Sequence, residues 1–141
     1  MSRFVEAGNA LINAENKSHI SEDICFYVTV DNHPWSYLFD CGMARYLGAS
    51  DCKSLAAVFI THSHIDHFAN FDTLLRHQLS IGRTVCICGP KGLARRVQAR
   101  ILSYTWNLIR RKSMSYEVRE LDGDEVNIYH ISPPKWELSV G

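Results

Sequence analysis

No run of apolar residues in this 141-residue chain approaches the roughly 18 needed to cross a bilayer. The opening stretch MSRFVEAGNALINAENK also lacks the apolar centre of a secretory leader, so a cytoplasmic location with no membrane partner is expected. A charge excess of one sign is missing too, since 15 Lys and Arg balance 15 Asp and Glu. Any attraction to a charged partner must therefore come from uneven distribution. Cysteines are few and odd in number (Cys25, Cys41, Cys52, Cys86, Cys88), which argues against a disulfide framework and for reduced thiols. Cys86 and Cys88 lack the second pair that a zinc site of this type needs, and they read as small apolar core residues. Internal repeats, low-complexity tracts and linkers are absent, so residues 1–141 are expected to form one folding unit or part of a larger one.

What remains is an ordinary globular composition, 46% apolar and 21% charged. The charge is arranged in blocks. Residues 1–72 carry 9 acids and 4 bases, residues 73–116 carry 9 bases and no acid, and residues 117–141 carry 6 acids and 2 bases. The central block suits either a phosphate-bearing ligand or a solvated, Arg-rich helix face.

The apolar pattern predicts a mixed α/β fold. ICFYVTV (24–30) and SYLFD (36–40) flank the turn DNHPW and read as a hairpin. LAAVFI (55–60) and TVCICG (84–89) are continuous apolar runs of strand length, expected to be covered on both faces. Between them Phe68, Phe71, Leu74, Leu75 and Leu79 repeat at helical spacing up to Gly82. Pro90 is expected to open a second helix carrying Leu93, Val97 and Ile101. Strand, helix, strand, helix implies a parallel crossover. MSYEVRE (114–120) and EVNIYHI (125–131) read as a second hairpin around DGD, and nothing after Pro133 and Pro134 suggests a further element.

The chemistry concentrates in THSHIDHF (61–68), where His62, His64, Asp66 and His67 form His-x-His-x-Asp-His. The cluster stands at the end of a buried strand and the start of a helix, where α/β sheets place their sites. Imidazole and carboxylate donors suit zinc, with iron and manganese also compatible. Alternation in an extended turn lets His62 and His64 grip one ion together, while Asp66 and His67 hold a second nearby. The bland reading is a surface His cluster with Asp66 as a helix cap. His77 lies about 15 Å further along a helix. His19 and His33 fall in turns, and His130 ends a hairpin as a packed or exposed residue.

At VFITHSHIDH and LFDCG the sequence resembles the metallo-β-lactamase superfamily, and at CGPKGLARRVQ its ribonuclease Z-like branch. The resemblance implies an αββα sandwich of which this chain is the N-terminal half. It implies two Zn2+ ions held by His62, His64, Asp66 and His67, with Asp40 buttressing the ligands from behind. It further implies hydrolysis of a phosphodiester or similar ester by a shared hydroxide, with Asp66 also orienting the water. The N-terminus lacks the Gly-Thr-Gly turn typical of ribonuclease Z. Counterparts of the family's later His and Asp ligands do not follow residue 67. Two further readings stand beside the hydrolase: a truncated, inactive metal-binding or interaction module, and a homodimer that borrows ligands from its partner.

Overall fold

The computed structural model describes residues 2–7, 10–18 and 23–141. Their strands form one nine-stranded sheet whose spatial order follows the chain. β1 (Ser2–Ala7), β2 (Ala10–Asn16), β3 (Phe26–Val30) and β4 (Ser36–Phe39) form an antiparallel meander. β5 (Leu55–Phe59), β6 (Thr84–Pro90) and β7 (Ser115–Asp122) then run parallel to β4. β8 (Glu125–Ile131) and β9 (Leu138–Val140) return antiparallel at the far edge.

The three parallel steps need crossovers, and helices supply them. α1 (Ala49–Ser54) precedes β5, α2 (Ile65–Phe68) and α3 (Phe71–Gln78) precede β6, and α4 (Leu93–Leu102) precedes β7. Right-handed crossovers that all step the same way put every helix on the same face of the sheet. The core lies between the two layers. Leu38, Val58, Ile87 and Val118 stand abreast on four neighbouring strands and are almost fully buried. Phe71, Leu74 and Leu75 of α3 and Leu93, Val97 and Ile101 of α4 close over them. Truncating Ile87 to Ala in the middle of this layer is expected to cost about 2–5 kcal/mol by urea denaturation. A loss below about 1 kcal/mol would place Ile87 outside the core.

The structure corrects the sequence reading at several places. The runs 55–60 and 84–89 form strands, but the described residues cover only one face of them with helices. The opposite face carries Phe39 and Phe59, stacked at 4.8 Å, and half-buried Cys88 in the same row. Their run is continuously apolar although half of it is only partly shielded. The helix expected from Phe68 onward is broken at Ala69 and Asn70, so that α2 and α3 are separate. Pro90 ends β6 instead of opening α4, and Gly92 makes the turn at φ 88°. The buried carboxylate of Glu120 then accepts from the Ala94 N–H in the first turn of α4, at 2.8 Å. Beyond Pro134 the chain does form a further element, β9, because Leu138–Val140 finds a pairing edge on β8.

Candidate metal centre

The candidate residues sit where the middle strands of the sheet end. Asp40 directly follows β4 and is 1% exposed, in the left-handed region at φ 57°. Aspartate tolerates that conformation better than most residues. Its backbone N–H donates to the Phe59 carbonyl at 2.8 Å, so the ends of β4 and β5 are tied together. Its carboxylate then reaches the loop after β5. Oδ1 accepts from the Thr61 N–H at 2.7 Å, and Oδ2 accepts from the Thr61 hydroxyl at 2.8 Å. Oδ2 also lies 2.8 Å from Nδ1 of His67, which is 9% exposed.

That last contact sets the chemistry of His67. Nδ1 needs a proton to donate to the carboxylate, which leaves Nε2 to face the other way. Nε2 lies 3.2 Å from Oδ2 of Asp66. When Nε2 is unprotonated, two electron-pair donors face each other there and need a cation between them. Donors at about 2.1 Å from one ion stand about 3.0–3.4 Å apart, so the spacing fits. The His62 ring packs between those of His64 and His67, with centroids 4.4 Å and 4.0 Å away. Three imidazoles and a carboxylate thus converge on one corner of the molecule. The donor set fits a borderline divalent cation but is incomplete. Among the described residues no group of three His, Cys, Asp or Glu side chains is disposed to hold one ion.

The loop is held by backbone closure as well as by Asp40. The Cys41 N–H donates to the His67 carbonyl at 2.7 Å, and the Asn70 side chain donates to the Gly42 carbonyl at 2.6 Å. A Cβ on Gly42 would collide with the Asp66 carbonyl, so this approach requires glycine.

No protein-family model matches the chain. It is 26% identical over 114 residues to ribonuclease Z of Deinococcus radiodurans, an alignment covering 77% of this chain and 34% of that protein. Among solved structures it is similar to the metallo-β-lactamase fold protein YhfI from Bacillus subtilis, with a TM-score of 0.51 and 15% identity. That match covers 93% of this chain and 61% of YhfI. It is similar to the short form of human tRNase Z at the same TM-score and 17% identity, covering 99% of this chain and 68% of that one. This is a metallo-β-lactamase-fold chain. Its sequence likeness runs to the ribonuclease Z-like members, and it spans about a third of the length of the ribonuclease Z it matches.

Other histidines of the metallo-β-lactamase-fold chain stand apart. His33 pairs with the Tyr37 hydroxyl at 3.2 Å in the β3–β4 hairpin, and His77 lies near the end of α3. His130 is opposite Glu117, in the row of Cys86 and Ala57. It is three strands from the cluster's strand, about 14 Å at the usual strand spacing. His19 falls outside the described residues.

Two supporting residues escaped the sequence reading. Thr61 lies between Asp40 and two rings, with its hydroxyl 3.0 Å from His62 Nδ1. A threonine directly after the apolar run was the available signal. Arg100 of α4 donates to the Ala69 carbonyl at 2.7 Å and pairs with Asp72 at 2.9 Å, which anchors the end of the loop from below. Nothing local in the sequence announces that contact. It also shows that the basic block is partly engaged in ion pairs within the chain, as does the surface pair of Lys91 with Asp122.

Substituting Thr61 with Val is expected to weaken zinc binding several-fold, whereas Ser at the same position keeps it, because only the hydroxyl matters. Competition titration against a chromophoric chelator measures both. Equal weakening by Val and Ser would assign the effect to packing.

Proposed function

We propose that the chain carries part of the dinuclear metal site of a hydrolase acting on phosphodiester or similar ester bonds. The observation that carries this reading is the His67 ring, held at Nδ1 by buried Asp40 and presenting Nε2 to Asp66 beside His62 and His64. His62 and His64 would hold one ion, and Asp66 and His67 the other. When bound, the ions supply Lewis-acid polarisation and a water of lowered pKa. Asp40 fixes the His67 tautomer, Thr61 spaces the carboxylate from the rings, and Asp66 would orient the attacking water. RNA is a substrate candidate only through the likeness to ribonuclease Z and tRNase Z. Exposed Arg95 and Arg96 on α4 would favour an anionic ligand.

Two protein donors per ion are fewer than the three usual at a catalytic zinc. That count favours the second reading, a metal-binding module with little turnover of its own. It also makes a partner subunit or further polypeptide the source of the remaining donors. The histidine cluster of the purified chain is expected to hold zinc substoichiometrically, and His64→Ala to remove that share. Two ions held at the histidine cluster itself through dialysis against a chelator would refute the donor count.

The test of function is hydrolysis of bis(p-nitrophenyl) phosphate at saturating Zn2+ or Mn2+. The hydrolase reading expects slow, metal-dependent turnover lost in His67→Ala. The rate is low because misplacement of about 1 Å costs on the order of 100-fold. Turnover no faster in the wild type than in His67→Ala would leave the metal-binding module as the function.

A further inference from the structure

A second cluster of donor groups lies on β6, away from the histidines. Alternation on a strand puts Cys86 and Cys88 on the same face, and their sulfur atoms are 3.5 Å apart. The sequence reading buries both as small apolar side chains. Instead Val85 and Ile87 take the helix-covered face, and the two thiols are half-buried on the other. Arg119 stands opposite Cys88 and Glu117 opposite Cys86 on β7, and the two charged groups pair with each other at 2.6 Å.

We propose that Cys86 and Cys88 form a two-thiolate chelating site for a thiophilic cation of the zinc, cadmium or trivalent arsenic class. The site is independent of the histidine cluster. Two sulfurs bound at about 2.3 Å to one tetrahedral ion lie about 3.8 Å apart, so the observed pair needs only a few tenths of an ångström of adjustment. The present contact is a hydrogen bond between the sulfurs. It holds the Cys88 thiol down to about 7, helped by Arg119, and pushes the Cys86 thiol up. The pair therefore shares a proton that a cation can replace. On binding, each S–H bond still present breaks, two metal–sulfur bonds form, and one proton per broken bond passes to solvent. A trivalent arsenical R–As=O reacts with the same balance, forming two As–S bonds and releasing one water.

The remaining cysteines do not compete. Cys25, Cys41 and Cys52 are fully buried, and burial pushes the Cys25 and Cys52 thiols up to about 12.

Cadmium titration of the reduced full chain tests the site through the ultraviolet thiolate-to-cadmium charge-transfer band. The band should saturate at one ion per chain. It should be lost in Cys86→Ser and in Cys88→Ser, and be kept in His64→Ala. Phenylarsine oxide gives a check on the unmutated protein, namely a single adduct with loss of one water in native mass spectrometry, blocked by prior cadmium. No band, a band that survives either serine variant, or arsenical adducts indifferent to cadmium would each overturn the proposal.

Discussion

Replacing Asp40 with Asn lowers zinc affinity by about 10- to 100-fold, the usual size of a loss behind a ligand histidine. The substitution is nearly isosteric, and asparagine shares aspartate's tolerance of the left-handed backbone found at Asp40. The fold should therefore survive. What changes is the proton on His67. An asparagine whose oxygen keeps the Thr61 N–H turns its NH2 toward His67 Nδ1, where a donor now meets a donor. The ring must move its proton to Nε2, the nitrogen needed for the metal. Chelator competition measures the affinity, and a thermal melt shows that the fold persists. Unchanged affinity in a folded Asp40→Asn variant would mean that His67 is not a ligand through Nε2.

The second large effect is at Gly42. Even Ala there is expected to cost about 1–3 kcal/mol, the usual penalty of overpacking. It should also lower zinc affinity at least about 10-fold by displacing the segment that carries Asp66 and His67. The added methyl meets the Asp66 carbonyl oxygen, and the nearby backbone cannot yield easily. Cys41 is bonded to His67, and Asn70 to both Cys41 and Gly42, so the two segments would have to part together. Urea denaturation and zinc titration read the two effects separately. Wild-type stability and affinity in Gly42→Ala would show that the loop approach is looser than described.

The parts of this molecule that were legible in sequence are those where the pattern is local. Alternation and β-branching reveal β3, β4, β7 and β8, and apolar runs reveal β5 and β6. The His-x-His-x-Asp-His spacing marks the corner locally, and only the family resemblance at LFDCG brings Asp40 to it. What escaped depends on tertiary contact. β9 has only three residues, and β8 supplies its pairing edge. The β1–β2 pairing is hidden in FVEAGNALINAEN, whose polar residues blur the alternation. α1 is a six-residue helix with one buried side chain, Cys52, too short to display a period. Pro90 reads as a helix start because proline favours a first turn, yet the parallel ladder with β7 continues through it. Arg100 and Thr61 support the site through partners 31 and 21 residues away, which no periodicity encodes.

The metal centre is tested most directly by following the imidazole nitrogens of all the histidines by NMR as zinc is added. The account predicts that ring nitrogens of His62, His64 and His67 respond together. His67 should respond at Nε2 while its Nδ1–H stays bonded to Asp40, and His33, His77 and His130 should remain unmoved. Zinc that shifts those outlying histidines first, or leaves Nε2 of His67 unchanged at saturation, would contradict it.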